Sequence, residues 1–134
     1  MGFRSMDFDD FARELEALGN VDDYAPEMLQ TAAPVLQKAL KGRVAKEADR
    51  GYATGDLEGA IAAHKPGKNG YGHYVMVTAD GVDRKGVRNN EKLAYLNYGT
   101  TKQQARPVIA KAIDEAEPEC LKVMQEKFDE VTGS

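Results

Sequence analysis

From Pro107 to Val131 the apolar residues Ile109, Ala112, Ile113, Ala116, Cys120, Val123, Met124 and Phe128 recur at intervals of three and four. That spacing puts them on one face of a helix, with Glu115, Glu117, Glu119, Lys122, Gln125 and Glu126 filling the other. A stripe of this length must be covered, by the rest of the domain or by a partner subunit. Asp23–Asp49 makes the same demand through Met28, Leu29, Ala32, Leu36, Ala39, Leu40 and Val44, with Asp22 and Asp23 as candidate caps. Pro34 is expected to bend this helix and Pro118 to bend or split the later one, because proline removes a backbone donor and crowds the preceding turn. A shorter stripe over Asp7–Leu18 (Phe8, Phe11, Leu15, Leu18) begins with Asp7, Asp9 and Asp10, acids that favour a helix start, and stops at Gly19-Asn20. Residues 1–6 are expected to fray.

Between the two long helices the pattern changes. Ala60–His64 and His73–Ala79 read as short strands flanking a hairpin loop, Lys65–Gly72, rich in glycine, asparagine and proline. Asp80-Gly81 and Lys85-Gly86 punctuate a second loop with room for a short strand near Val87. Asn90–Asn97 fits strand or helix; Asn90 as a cap, with glutamate next, favours helix. The chain is thus expected to be α+β: two long helices packed on a small antiparallel sheet, with a short N-terminal helix, in a single domain of 134 residues.

Composition removes several classes of function. A net charge of −4 gives no global reason to expect nucleic-acid binding. One cysteine permits no intramolecular disulfide, and no apolar run approaches the ~20 residues a membrane helix needs, so the default expectation is an intracellular soluble protein. His64 and His73 flank the hairpin, but two histidines without a carboxylate or cysteine partner fall short of a metal site. Cys120 lies on an apolar stripe, where a buried small hydrophobe is expected. Gly67, Gly70 and Gly72 are not followed by the lysine and helix of a phosphate loop. No catalytic residues, cofactor or metal are expected.

The stretch Leu93–Pro107 (LAYLNYGTTKQQARP) reads as an apolar-aromatic element, a tight turn, a loop and a helix start. Gly99 can end an element with positive φ, and Pro107 suits a first helical turn. Thr100 and Thr101 can cap the turn. The aromatic-Gly-Thr turn (Tyr98, Gly99, Thr100), a short polar loop and then Ala105-Arg106-Pro107 resemble the tail-component family of long-tailed bacteriophages. That family includes small neck, head–tail joining and tail-completion proteins. Thr54, Gly55 and Leu57 likewise resemble its Thr-Gly-x-Leu turn, and the likeness runs from about Phe8 to Val131. The family often has an acidic residue before the aromatic-glycine turn, where this chain has Asn97.

The resemblance implies a virion structural protein at the head–tail junction or tail end. It would assemble as a ring with copies of itself, a hexamer being one possible stoichiometry, beside head-completion or tail-tube proteins. Its place would be the host bacterial cytoplasm during assembly and the virion tail or neck afterwards, with no membrane contact. Arg106, poorly placed for the dipole of its own helix, is expected to hold a carboxylate or carbonyl partner. Lys65, Lys68, Arg84, Lys85 and Arg88, with Tyr71 and Tyr74 near, are the candidate interface. The alternative is a small nucleic-acid-binding protein using the same basic loops, 65–72 and 82–90, against phosphates; the acidity of the domain as a whole weighs against it.

Overall fold

A computed structural model describes residues 13, 21–47, 55–70, 72–100 and 104–132. In order these form α1 (Val21–Lys46), α2 (Asp56–Ala60), β1 (Ile61–Ala63), β2 (Gly67–Asn69), β3 (Gly72–Tyr74), β4 (Val77–Ala79), α3 (Asn89–Tyr98) and α4 (Val108–Thr132). The fold is α+β. The expected helix over Asp7–Leu18, apart from Arg13, and the Thr54 of the turn motif lie outside the described residues.

The two long helices run antiparallel against each other. Near one end the Tyr24 and Phe128 rings meet edge to face, 5.3 Å between centroids. Midway, the Cys120 thiol lies 3.6 Å from the Ala32 carbonyl. At the other end Arg43 pairs with Glu115 and Lys111 with Glu47. Met28, Ala32, Ala116, Cys120, Leu121 and Met124 form the apolar seam between them. Neither Pro34 nor Pro118 splits its helix, and α1 begins early enough to include Pro26 as well. Pro34 and Pro118 are both exposed, so the carbonyls left without a partner belong to exposed Gln30 and Asp114 and can turn to water. Asp22 and Asp23 lie inside the first turn of α1 instead of capping it.

The sheet is a single hairpin in two paired pieces. β1 pairs with β4 in the register Ile61↔Ala79, and β2 with β3 in the register Gly67↔Tyr74. Between them three residues, His64 to Pro66, oppose two, Val75 and Met76. This one-residue bulge falls where Pro66 has no N–H to donate. The Lys65–Gly72 segment, expected to be loop, therefore contains β2 and the first residue of β3, and the expected strand His73–Ala79 is divided at Val75 and Met76. The Tyr74 ring lies across Gly67: a Cβ there would come within 2.7 Å of that ring and would have to displace it. The anticipated strand near Val87 is one bridge, Val82 to Arg88.

α1 supplies most of the cover for the hairpin, while α4 packs chiefly on α1. The first turns of α4 contribute Val108 and Ala112 to a second core with Leu40, Val44, Leu57, Ile61, Ala79, Leu93 and Leu96. No helix among the described residues is long and apolar enough to cross a membrane.

Candidate interaction surface

The described motif residues flank helix ends: Gly55 and Leu57 at the start of α2, Tyr98 to Thr100 at the end of α3, and Ala105 to Pro107 before α4. Gly55 has φ 84° and precedes α2, whose Leu57 is completely buried. α3 ends at Gly99, whose φ of 81° and ψ of 173° lie in a region closed to residues with a side chain; its N–H donates to the Tyr95 carbonyl at 2.8 Å. Thr100, Gln104, Ala105 and Pro107 are exposed. Arg106 is half-buried: its backbone N–H donates to the Leu96 carbonyl at 2.8 Å, and its Nη1 donates to the Glu47 carbonyl at 2.8 Å. The guanidinium thus serves the negative end of α1 rather than its own helix, which resolves its placement against the dipole. Asn97 is buried, and its Oδ1 accepts the N–H of Ile109 at 3.0 Å in the first turn of α4. This is an N-cap provided from another helix. An acid there could accept the same bond, so the asparagine keeps the hydrogen bond without the charge.

The 81–90 segment, expected to be a basic loop, is tightly tied. Asp83 Oδ1 accepts the N–H groups of Lys85 at 2.8 Å and Val87 at 2.9 Å, and Gly86 N–H donates to the Asp83 carbonyl at 3.0 Å. Asp83 Oδ2 receives Lys92 Nζ at 3.0 Å, in an ion pair whose side chains are only 8% and 10% exposed. The Val87 N–H and then Lys92 hold the Asp83 carboxyl below its ordinary range. Arg84 grips Asp56 with two guanidinium nitrogens, Nε at 2.9 Å and Nη2 at 2.7 Å, and also donates its backbone N–H. These bonds bring the Asp56 carboxyl down to about 2. Arg84 therefore joins the segment to α2. All five members of the predicted basic set, Lys65, Lys68, Arg84, Lys85 and Arg88, are exposed, Arg84 while bound to Asp56.

α3 starts at Asn89, one residue before the anticipated cap. Asn89 is buried and its Nδ2 donates to the Asp80 carbonyl at 2.9 Å, so a tertiary bond fixes the helix start. Its exposed face carries Tyr95 and Tyr98, the latter 76% exposed. With Val82, Val87, Tyr74 and Met76, these are the large apolar side chains that the hairpin, the 81–90 segment and α3 present to water.

His64 and His73 do not meet as a pair. His64 Nε2 lies 2.7 Å from Thr78 Oγ1 and 3.2 Å from the Asp80 carboxylate, and Thr78 Oγ1 donates to Asp80 Oδ1 at 2.7 Å. The Thr78 hydroxyl first, and His64 after it, lower the Asp80 carboxyl. Both partners approach the same imidazole nitrogen, so the carboxylate does not orient the ring from behind as a nucleophile's relay requires. His73 is paired across the hairpin with Lys68. No group of three potential metal ligands forms among the described residues. The Cys120 thiol is buried and pushed up to about 11, first by burial.

On the opposite side, a groove of about 550 Å³ runs between α1 and α4. Pro34, Val35, Ala39, Gly42 and Ala116 line its apolar part, with Lys38 and Lys46 on one rim and Glu115 and Glu119 on the other. The sequence reading did not single it out. A glycine near the C-terminal end of an apolar-striped helix was the available signal.

No family model, no curated protein and no solved structure matches this chain.

Proposed function

We propose that this protein is a virion structural component of a long-tailed bacteriophage or prophage, acting at the head–tail junction or tail end as a ring of like subunits. The proposal rests on the resemblance of its turn motifs to the tail-component family. One structural observation supports it: part of the motif is spent on helix ends while a polar and aromatic surface faces outward. Leu57 is buried, Gly99 ends α3 and Arg106 binds the end of α1, whereas Tyr98 of the motif, with Lys65, Lys68, Lys85, Arg88 and Tyr95, faces outward from the hairpin, the 81–90 segment and α3. Such a molecule works through surfaces, and no catalysis is needed for that role.

Charge suggests how copies would meet. Residues 61–90 carry five basic side chains against two acidic ones, and α4 carries seven acids against three lysines. In a head-to-tail ring one subunit's basic edge faces the next subunit's acidic helix. Replacing Lys65, Lys68, Lys85 and Arg88 together with glutamate tests this. Arg84 is left in place, because its loss would break the Asp56 contact and confound folding. The variant is expected to fold normally and to fail to enter virions; normal incorporation and infectivity would refute the placement of the interface. The exposed lysines and arginine also define the competing reading. If the parent protein binds DNA with a steep salt dependence that the variant loses, phosphate contact is their role instead.

A further inference from the structure

Two surfaces among the described residues join an exposed apolar side chain to unpaired charge, and their charges are opposite in sign. The first is the turn of the 81–90 segment. Val82 bridges Arg88 across it, and a directly opposed pair puts both side chains on one face. Val82 is 60% exposed, Arg88 is exposed beside it, and Lys85 lies in the turn between them. Neither basic side chain forms an ion pair among the described residues. The second surface is on α4. Among its described residues Ile113 is the exposed large apolar side chain, at 38%. Exposed Ala110 lies one turn before it, and Asp114 and Glu117 lie beside it. These two acids likewise pair with no base among the described residues.

We infer that these surfaces are the two halves of a contact between copies of this chain: Val82 of one copy packs on Ile113 of the next, while Arg88 and Lys85 meet Glu117 and Asp114. The contact rests on the ring of like subunits proposed above and gives it an apolar anchor and a register. Spacing supports that register. Opposed strand residues hold their Cβ atoms about 5 Å apart, and helix residues four apart, as Ile113 and Glu117 are, about 5–6 Å. Val82 seated on Ile113 therefore brings Arg88 over Glu117. The turn is also built in advance. Asp83 accepts the N–H groups of Lys85 and Val87 and pairs with Lys92, and Arg84 ties the turn to Asp56. Docking it immobilises little further backbone.

Within one chain, α3 stands between the two surfaces. Its first residue, Asn89, donates its N–H to Gly81 at the base of the turn, and Asn97 near its other end accepts the N–H of Ile109 in α4. The helix between those bonds is about 12 Å long at ~1.5 Å per residue. A contact between two different, non-overlapping surfaces is heterologous and passes from copy to copy, as a ring requires. The net charge of −4 opposes association at long range, so it is the local opposition of charge that selects this pairing.

Disulfide trapping in full-length chains tests this. A chain carrying both Val82→Cys and Ile113→Cys, at exposed positions, is oxidised at high protein concentration, with Cys120 buried away from the reaction. Trapping captures weak contacts, so closed rings are not required. Non-reducing electrophoresis is expected to show a ladder of linked copies. Its yield should exceed about tenfold that of a control chain carrying Met76→Cys and Ile113→Cys, also exposed positions, the ratio given by a modest docking preference. Lys85→Glu with Arg88→Glu should bring the yield down to the control level, and so should Asp114→Lys with Glu117→Lys. All four reversals in one chain should restore the ladder, a recovery that loss of folding cannot produce. A yield at the control level, links formed within one chain, or a ladder indifferent to the charge reversals overturns the inference. The size of the linked products separates it from the ring. Products that stop at closed pairs keep the contact and remove the ring; closed rings without 82–113 links keep the ring and remove the contact.

Discussion

At the scale of single residues, the junction near Gly99 is the most demanding place in the chain. At φ 81° and ψ 173° a residue with a Cβ meets its own backbone, and the N–H to Tyr95 fixes the turn so that it cannot relax elsewhere. Gly99→Val is expected to destabilise the protein by about 1–3 kcal/mol, read as a lowered midpoint in thermal or urea unfolding. An unchanged midpoint would show that the turn tolerates another conformation. The glycine and its turn were legible from the sequence, since an aromatic run that stops at glycine announces a helix or strand end. Asn97 and Arg106 were legible only in part. That Arg106 needs a partner follows from helix electrostatics, but the partner, the Glu47 carbonyl 59 positions earlier, is a matter of tertiary placement. The role of Asn97 as a cap for α4 has no local signature, because the capped N–H is 12 residues away.

At the scale of elements, α2, α3 and the 81–90 segment are held together by carboxylates whose protonation weakens them. Asp56 has an ordinary carboxyl pKa of 3.8 but about 2 beside Arg84 in the folded protein. The unfolded chain therefore takes up this proton first as the solution is acidified. The stability Asp56 contributes is whole above pH about 4 and is lost as pH falls toward about 2; Asp80 and Asp83, both lowered, act in the same direction. Unfolding midpoints recorded across that window should fall, and Asp56→Asn should flatten the decline; an equally steep decline in that variant would remove Asp56 from the account.

The long helices were readable because a stripe at three and four repeats over many turns, so isolated prolines on the solvent side do not erase it. The distal hairpin was not. Gly67 and Gly72 look like loop residues, and only the Tyr74 ring lying across Gly67 explains a glycine inside a strand. The Asp83 turn could have been read, since aspartate followed three residues later by glycine is a type I turn signature. The buried Lys92 and the Asp56–Arg84 pair could not, because charges separated by 9 and 28 residues carry no periodicity.

At the scale of the whole molecule, charge is unevenly shared between the basic 61–90 region and the acidic α4, while the sum stays at −4. Like-charged molecules repel at long range, so in isolation the protein is expected to be monomeric or weakly associating; under the proposed function, rings would close only beside structural neighbours. Sedimentation velocity over a concentration series checks this; stable rings of the purified protein alone would contradict it. The antiparallel pairing of α1 with α4 also bears on how the protein is made. Both apolar clusters draw on α4, one through Val108 and Ala112, the other through Ala116, Cys120, Leu121 and Met124. While the ribosome has delivered only the residues before Val108, α1 and the hairpin can close on each other, but the α1 face that meets α4 has nothing to close against. Completion of the core therefore waits on the emergence of residues 108–124, and a nascent chain stalled short of them exposes that face to chaperones and proteases.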